Sequence, residues 1–149
     1  MQEPLYYLSI ENASAALREK RFSARQLMEA HLTRIEALDP VLHAFITRAG
    51  ADALDAADVA DTEMKRGIDR GSLHGIPIAH KDILQTAGIR TTAHSRSLRN
   101  WIPDRSATVV EKLRDAGAIS VGKTPLHEFA IGSPGNDEAF PAALNPWNV

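Results

Sequence analysis

The stretch Leu73-His74-Gly75-Ile76-Pro77-Ile78-Ala79-His80-Lys81-Asp82-Ile83 decides how this chain folds. Gly75 to Ala79 is a short apolar run between polar neighbours, and it reads as a buried strand. The strand runs straight into a lysine and then an aspartate. Downstream, "SATVVEKLRDAG" (residues 106–117) reads as a helix, with Ser106 as its cap, Val109, Val110 and Leu113 facing inward, and Gly117 as its stop. "AISV" (118–121) is a further strand. Upstream, residues 51–66 read as a helix. Ala53, Ala57, Ala60 and Met64 form its small-residue inner stripe, while Asp52, Asp55, Asp58 and Asp61 mark a solvated face, with Gly67 as the stop. The apolar run "VLHAFIT" (41–47) reads as a strand. Strands alternating with helices argue for an α/β domain with a largely parallel sheet.

The N-terminal part is helical. Ser9 caps a helix reaching about Lys20, and Ser23 with Gln26 forms a capping box. That box opens a longer helix in which Met28, Leu32 and Ile35 share a face, and Asp39-Pro40 ends it. The expected organisation is one domain, with a helical arm over about 1–40 and an α/β part over about 41–149. Pro125 suits the first position of a short helix, "PLHEFA". Residues 132–149 read as loop.

Composition narrows the function. A chain of 149 residues, 44% hydrophobic and 24% charged, can bury a core of its own. A net charge of −2 gives no electrostatic footprint for nucleic acid or an anionic membrane. There are no cysteines, so disulfides, thiol nucleophiles and thiolate metal sites are excluded together. The first residues lack the basic and apolar blocks of a signal peptide, and no apolar run approaches a membrane span. A cytoplasmic location is the expectation, with no cofactor.

Several motifs compete for a chemical role. Gly117 to Thr124 formally matches the phosphate-binding pattern G-x-x-x-x-G-K-T, but a helix precedes it and its middle is apolar and strand-like. That is the wrong context for a backbone cradle of phosphate, so a helix stop, a strand and a turn are expected instead. Ser133 sits in Ile131-Gly132-Ser133-Pro134-Gly135, which lacks the first glycine of a nucleophile elbow. The six histidines show no metal-ligand spacing, so no metal is assigned. Lys81 is the sharper candidate. Reactive groups gather at the carboxyl ends of strands in α/β sheets. A lysine partly desolvated there favours its neutral amine, a competent general base. Extended geometry would point Asp82 to the opposite side, where it would bond local backbone.

"GSLHGIPIAHKDILQTAGIRTTAHS", "DRSATVVEKLRDAGAISVGKTPLHEFAIGSPG" and "LNPWN", in that order and spacing, resemble the N-terminal part of the amidase signature family. The likeness is dense from Leu73 to Asn148 and looser in "SARQLMEAHLTRIEALDPVLHAFIT". It implies an α/β/α sandwich around a mixed sheet, and hydrolysis of a small-molecule carboxamide or transfer of its ammonia. The family's triad is a serine nucleophile, a second serine with a cis peptide bond, and a lysine. The resemblance puts Lys81 on that lysine, taking a proton from the nucleophile through the bridging serine. It puts Ile131, Gly132 and Ser133 at the acyl pocket or against the bridging serine. It makes 122–124 an ordinary strand-to-helix turn.

The resemblance also carries a departure. In the family the serine-rich segment follows the Asn-Pro-Trp element, whereas here Asn145-Pro146-Trp147 is followed by Asn148 and Val149 alone. The expectation is therefore a lysine-bearing N-terminal fragment, inactive by itself, whose partner is the remainder of an amidase chain. An uncovered face would make it self-associate, as a homo-oligomer. The alternatives are an ammonia-releasing component of a transfer-RNA-linked amidotransferase, which shares the triad, and a non-catalytic assembly fragment.

Overall fold

The computed structural model describes residues 3–132 and 139–148. Four α-helices are present among them: α1 (Ile10–Arg18), α2 (Ala24–Leu42), α3 (Gly50–Lys65) and α4 (Thr108–Asp115). Three strands, β1 (Thr47–Arg48), β2 (Pro77–Lys81) and β3 (Ile119–Thr124), form a sheet in the order β1-β3-β2. β2 runs parallel to β3 and β1 antiparallel to it, so the sheet is mixed.

The helix starts follow local chemistry. The Ser9 hydroxyl accepts the Asn12 N–H, and Ser23 and Gln26 exchange both bonds of a capping box. α2 does not stop at Asp39-Pro40 as expected; it runs to Leu42 with Pro40 inside it. Proline there removes one N–H from the last turn. The chain then breaks at His43, which adopts the left-handed conformation (φ 50°), while the Asp39 carboxylate accepts the Phe45 N–H. Val41 and Leu42 thus belong to the helix, and of the strand expected over 41–47 only Thr47 falls in β1.

α3 faces its alanines inward. Ala53, Ala57 and Ala60 are buried and let α3 lie close against α2 and β3, around Leu17, Leu27, Met28, Ile76, Ile119 and Val121. Fully burying a side chain such as Leu27 or Met28 contributes roughly 1.5–3 kcal/mol. Asp61 is not part of a solvated face. Its carboxylate accepts the N–H groups of Ala24 and Arg25 (2.7 and 3.1 Å), a cap on α2 supplied from another helix. Ser106 likewise does not cap α4; its hydroxyl accepts the Ala87 N–H, and Val109 on α4 is exposed while Val110 is buried. "PLHEFA" holds only a single 3₁₀ turn, Glu128–Ala130, with Phe129 and Ala130 at positive φ.

Two details of β3 position the site. Gly122 has φ 148°, and a Cβ on it would lie 2.3 Å from the Thr47 carbonyl, so only glycine lets β1 cross this closely. Between Ile78 and Ala79 the β2–β3 register slips by one: Ile78 faces Ser120, but Ala79 faces Gly122. Val121 is the extra residue of this bulge.

Candidate active site

Lys81 is the last residue of β2, at the carboxyl end of the sheet. Along the strand His80 is buried while Ala79 and Lys81 are exposed. Lys81 therefore stands on an open face of the sheet, and the expected desolvation is not found within this chain. A tight turn follows it at once, closed by the Leu84 N–H donating to the Lys81 carbonyl (2.9 Å).

Asp82 points the other way and is wholly buried. Its carboxylate accepts the Thr92 N–H (2.9 Å) and the Thr92 hydroxyl (2.6 Å) on Oδ2. The backbone N–H it accepts is not local, as expected, but belongs to Thr92, ten residues on. Its backbone is also held on both sides, with its N–H donating to the Thr124 carbonyl and its C=O accepting the Ala93 N–H. Oδ1 has no hydrogen-bond partner, but Lys123 Nζ lies 3.4 Å away.

Sequence reasoning missed Lys123 as a site residue; the structure makes it the most completely enclosed cation described. It is 0% exposed. Its ammonium donates to the Leu84 carbonyl and to the Thr91 hydroxyl, both at 2.7 Å, and faces Asp82. Burial pulls its pKa below the usual lysine value, against the opposing attraction of Asp82. Residues 119–124 are one strand, so the formal phosphate-binding pattern has no loop in its middle, and its lysine is already consumed by protein partners. The turn expected at 122–124 is instead the end of β3, and the distant partner Asp82 left no local trace in the sequence.

His80 pairs in register with Lys123 and is buried beside it. Burial first, and the Lys123 charge second, hold its pKa below the ordinary imidazole value.

Ile131 and Gly132 lie just after the 3₁₀ turn and are exposed; Ser133 falls outside the described residues. Ala93 links this segment to Lys81. Its N–H donates to the Asp82 carbonyl and its C=O accepts the Phe129 N–H. Two hydrogen bonds therefore span from the residue after Lys81 to the turn before Ile131. Buried His94 adds a second tie, with ring nitrogens against the Leu126 and Phe140 carbonyls. Among the described residues no cluster of His, Asp or Glu is arranged to hold a metal ion, and no helix is long and apolar enough to cross a membrane.

An exposed lysine at a strand end, braced beneath by a buried ion pair and flanked by the segment before Ile131, is the arrangement found. The family model described as Amidase matches residues 26–149. The chain belongs to the amidase family. Among curated relatives, a glutamyl-tRNA(Gln) amidotransferase subunit from Carboxydothermus hydrogenoformans is 44% identical over 145 residues, which is 97% of this chain and 30% of the relative. Among solved structures, native peptide amidase from Stenotrophomonas maltophilia superposes with a TM-score of 0.79 at 39% identity, covering 85% of this amidase-family chain and 26% of the other. A structure described as a vestigial protein complex bearing on the origins of an s-triazine catabolic enzyme reaches a TM-score of 0.88 at 29% identity, over 95% of this chain and 31% of that one. The fold is thus that of amidase-signature enzymes. This chain spans about 30% of the length of the curated relatives it matches.

Proposed function

We propose that these residues form the lysine-bearing part of an amide hydrolase that acts on small-molecule carboxamides, with Lys81 as its general base. The observation that carries this reading is the position of Lys81. It ends β2 at the carboxyl edge of the sheet and faces away from the buried Asp82, so no carboxylate within its own dipeptide neutralises it. In this reading the neutral amine of Lys81 takes a proton, through a bridging serine, from a serine nucleophile. The nucleophile attacks the amide carbon, the C–N bond breaks as the proton passes to the leaving amine, and water then releases the acid from the acyl-enzyme. Both serines come, in this reading, from the rest of an enzyme of which this chain matches about 30% by length, and that remainder covers the open face and desolvates Lys81. In the same reading Ile131 and Gly132, exposed just after the 3₁₀ turn, line the acyl pocket or contact the bridging serine.

The second reading is an ammonia-releasing component of an amidotransferase, favoured by the names of the curated relatives. One experiment addresses both. The full-length protein and its Lys81→Ala variant are assayed for ammonia release from simple carboxamides and from glutamine, alone and with candidate partner chains. Lys81→Ala is expected to lower turnover by at least about 10³-fold, within the range seen on removing one member of a catalytic triad. Release that depends on a stable partner complex supports the amidotransferase. Turnover unaffected by Lys81→Ala refutes the role assigned to this lysine.

A further inference from the structure

The mechanism uses Lys81, yet the charge that the fold has gone furthest to enclose is on Lys123. An isolated buried ammonium is costly, and a buried ion pair often contributes little net stability compared with apolar residues of the same volume. Stability alone is therefore a weak reason for a strand to carry a lysine here. The partners of Lys123 suggest another. One of its two hydrogen bonds ends on the Leu84 carbonyl (2.7 Å), and Leu84 is the residue whose N–H closes the turn onto the Lys81 carbonyl. The other ends on Thr91. Thr91 precedes Thr92, which grips Asp82, and Ala93, which bonds the Asp82 carbonyl. Lys123 thus joins both flanks of the 82–93 loop to the strand beside β2. Leu84 sits only partly buried, with exposed Ile83 and Gln85 on either side, so little apolar packing fixes this turn.

We infer that Lys123 is a positioning residue for the reaction: its enclosed ammonium, bonded to the Leu84 carbonyl and the Thr91 hydroxyl and paired with Asp82, fixes the turn that aims Lys81. The inference rests on the reading of Lys81 as the base. It assigns Lys123 no contact with substrate. Its effect falls on the geometry of proton transfer, where small misplacements lower the rate strongly while leaving substrate binding intact.

The test uses the full-length protein. Lys123→Met alone would strand Asp82 as a lone buried charge and risks misfolding. The informative variant is the double substitution Asp82→Asn with Lys123→Met, which removes both charges together and keeps the volumes. Leu17→Ala, in the core among the helices, serves as a control for loss of stability. The double variant is expected to fold, to lose roughly 10- to 100-fold in kcat, and to keep KM within about twofold of wild type. Leu17→Ala is expected to lower the melting temperature without moving kcat at temperatures where it stays folded. A double variant with wild-type kcat, or one whose loss lies wholly in KM, overturns the inference. A loss of kcat matched by Leu17→Ala at equal stability overturns it as well. If Lys81→Ala itself keeps full activity, it is the assignment of Lys81 that has failed, and the two failures are told apart.

Discussion

Arg25 on α2 reaches Glu29 at 2.9 Å and Asp58 on α3 at 2.5 Å, with all three side chains about half exposed. Lys123 reaches Leu84, Thr91 and Asp82 with no exposure at all. Each cation has its polar partners, but water decides what the partners are worth. On the helical side, water competes for the same groups, and the pairs decorate a fold already held by the alanine seam of α3 and by Leu27 and Met28. At the sheet end, nothing replaces a partner that is removed. The exposed ion pairs of the helical side are optional, and the enclosed contacts of the sheet end are committed.

The largest expected effect breaks that comparison most directly. Lys123→Met should cost about 3–5 kcal/mol in urea unfolding, because Asp82 is left buried without its counter-charge. Adding Asp82→Asn should restore most of the loss. If the single variant is as stable as wild type, the pair is not committed and the contrast with Arg25 disappears. Next in size is Asp61→Ala, which removes two acceptor bonds at the start of α2 and should cost about 1 kcal/mol, the usual worth of a cap, in the same unfolding measurement.

A smaller effect is pH-dependent. The pKa of His80 is lowered on folding, so between the folded value and the ordinary 6.5 the unfolded chain binds more protons. Stability therefore falls as pH drops below about 6.5, by less than about 1 kcal/mol at about pH 6 from this group. His80→Gln should flatten that part of a stability–pH curve; an unchanged slope would mean that other groups dominate it. Smallest of all is Arg25→Ala, whose unfolding midpoint should match that of wild type at physiological salt. A clear loss there would mean that the exposed network is committed too.

What the sequence made legible was local. Ser9, Ser23 and Gln26 act on residues three positions away, so their roles could be read directly. The alanine stripe of α3 could be read because its period is that of the helix. Lys81 and Asp82 could be placed on opposite sides because strand alternation needs no partner. The misreadings came where a distant group won. Asp61 looked solvated until α2 offered it two N–H groups. Ser106 looked like a cap until Ala87 claimed its hydroxyl. "VLHAFIT" is short and apolar, and α2 absorbed its first two residues across Pro40 before His43 broke the helix. Lys123 looked, with the rest of 122–124, like part of a turn; it lies inside β3, and Asp82, Leu84 and Thr91 meet it only in the folded sheet. The desolvation expected at Lys81 has no counterpart within this chain, where Ala79 and Lys81 share an open face.

The slip between Ile78 and Ala79 sets a parity. Had β2 and β3 kept the spacing of Pro77 with Ile119, Lys81 would stand directly across from Lys123, two ammonium groups side by side on one surface. The single inserted residue advances β3 by one step. Lys123 then aligns with His80 and drops inside, while Lys81 meets Thr124 and stays out. One uncounted valine sorts two identical side chains into two different trades, and deleting it would ask both lysines to do the same one.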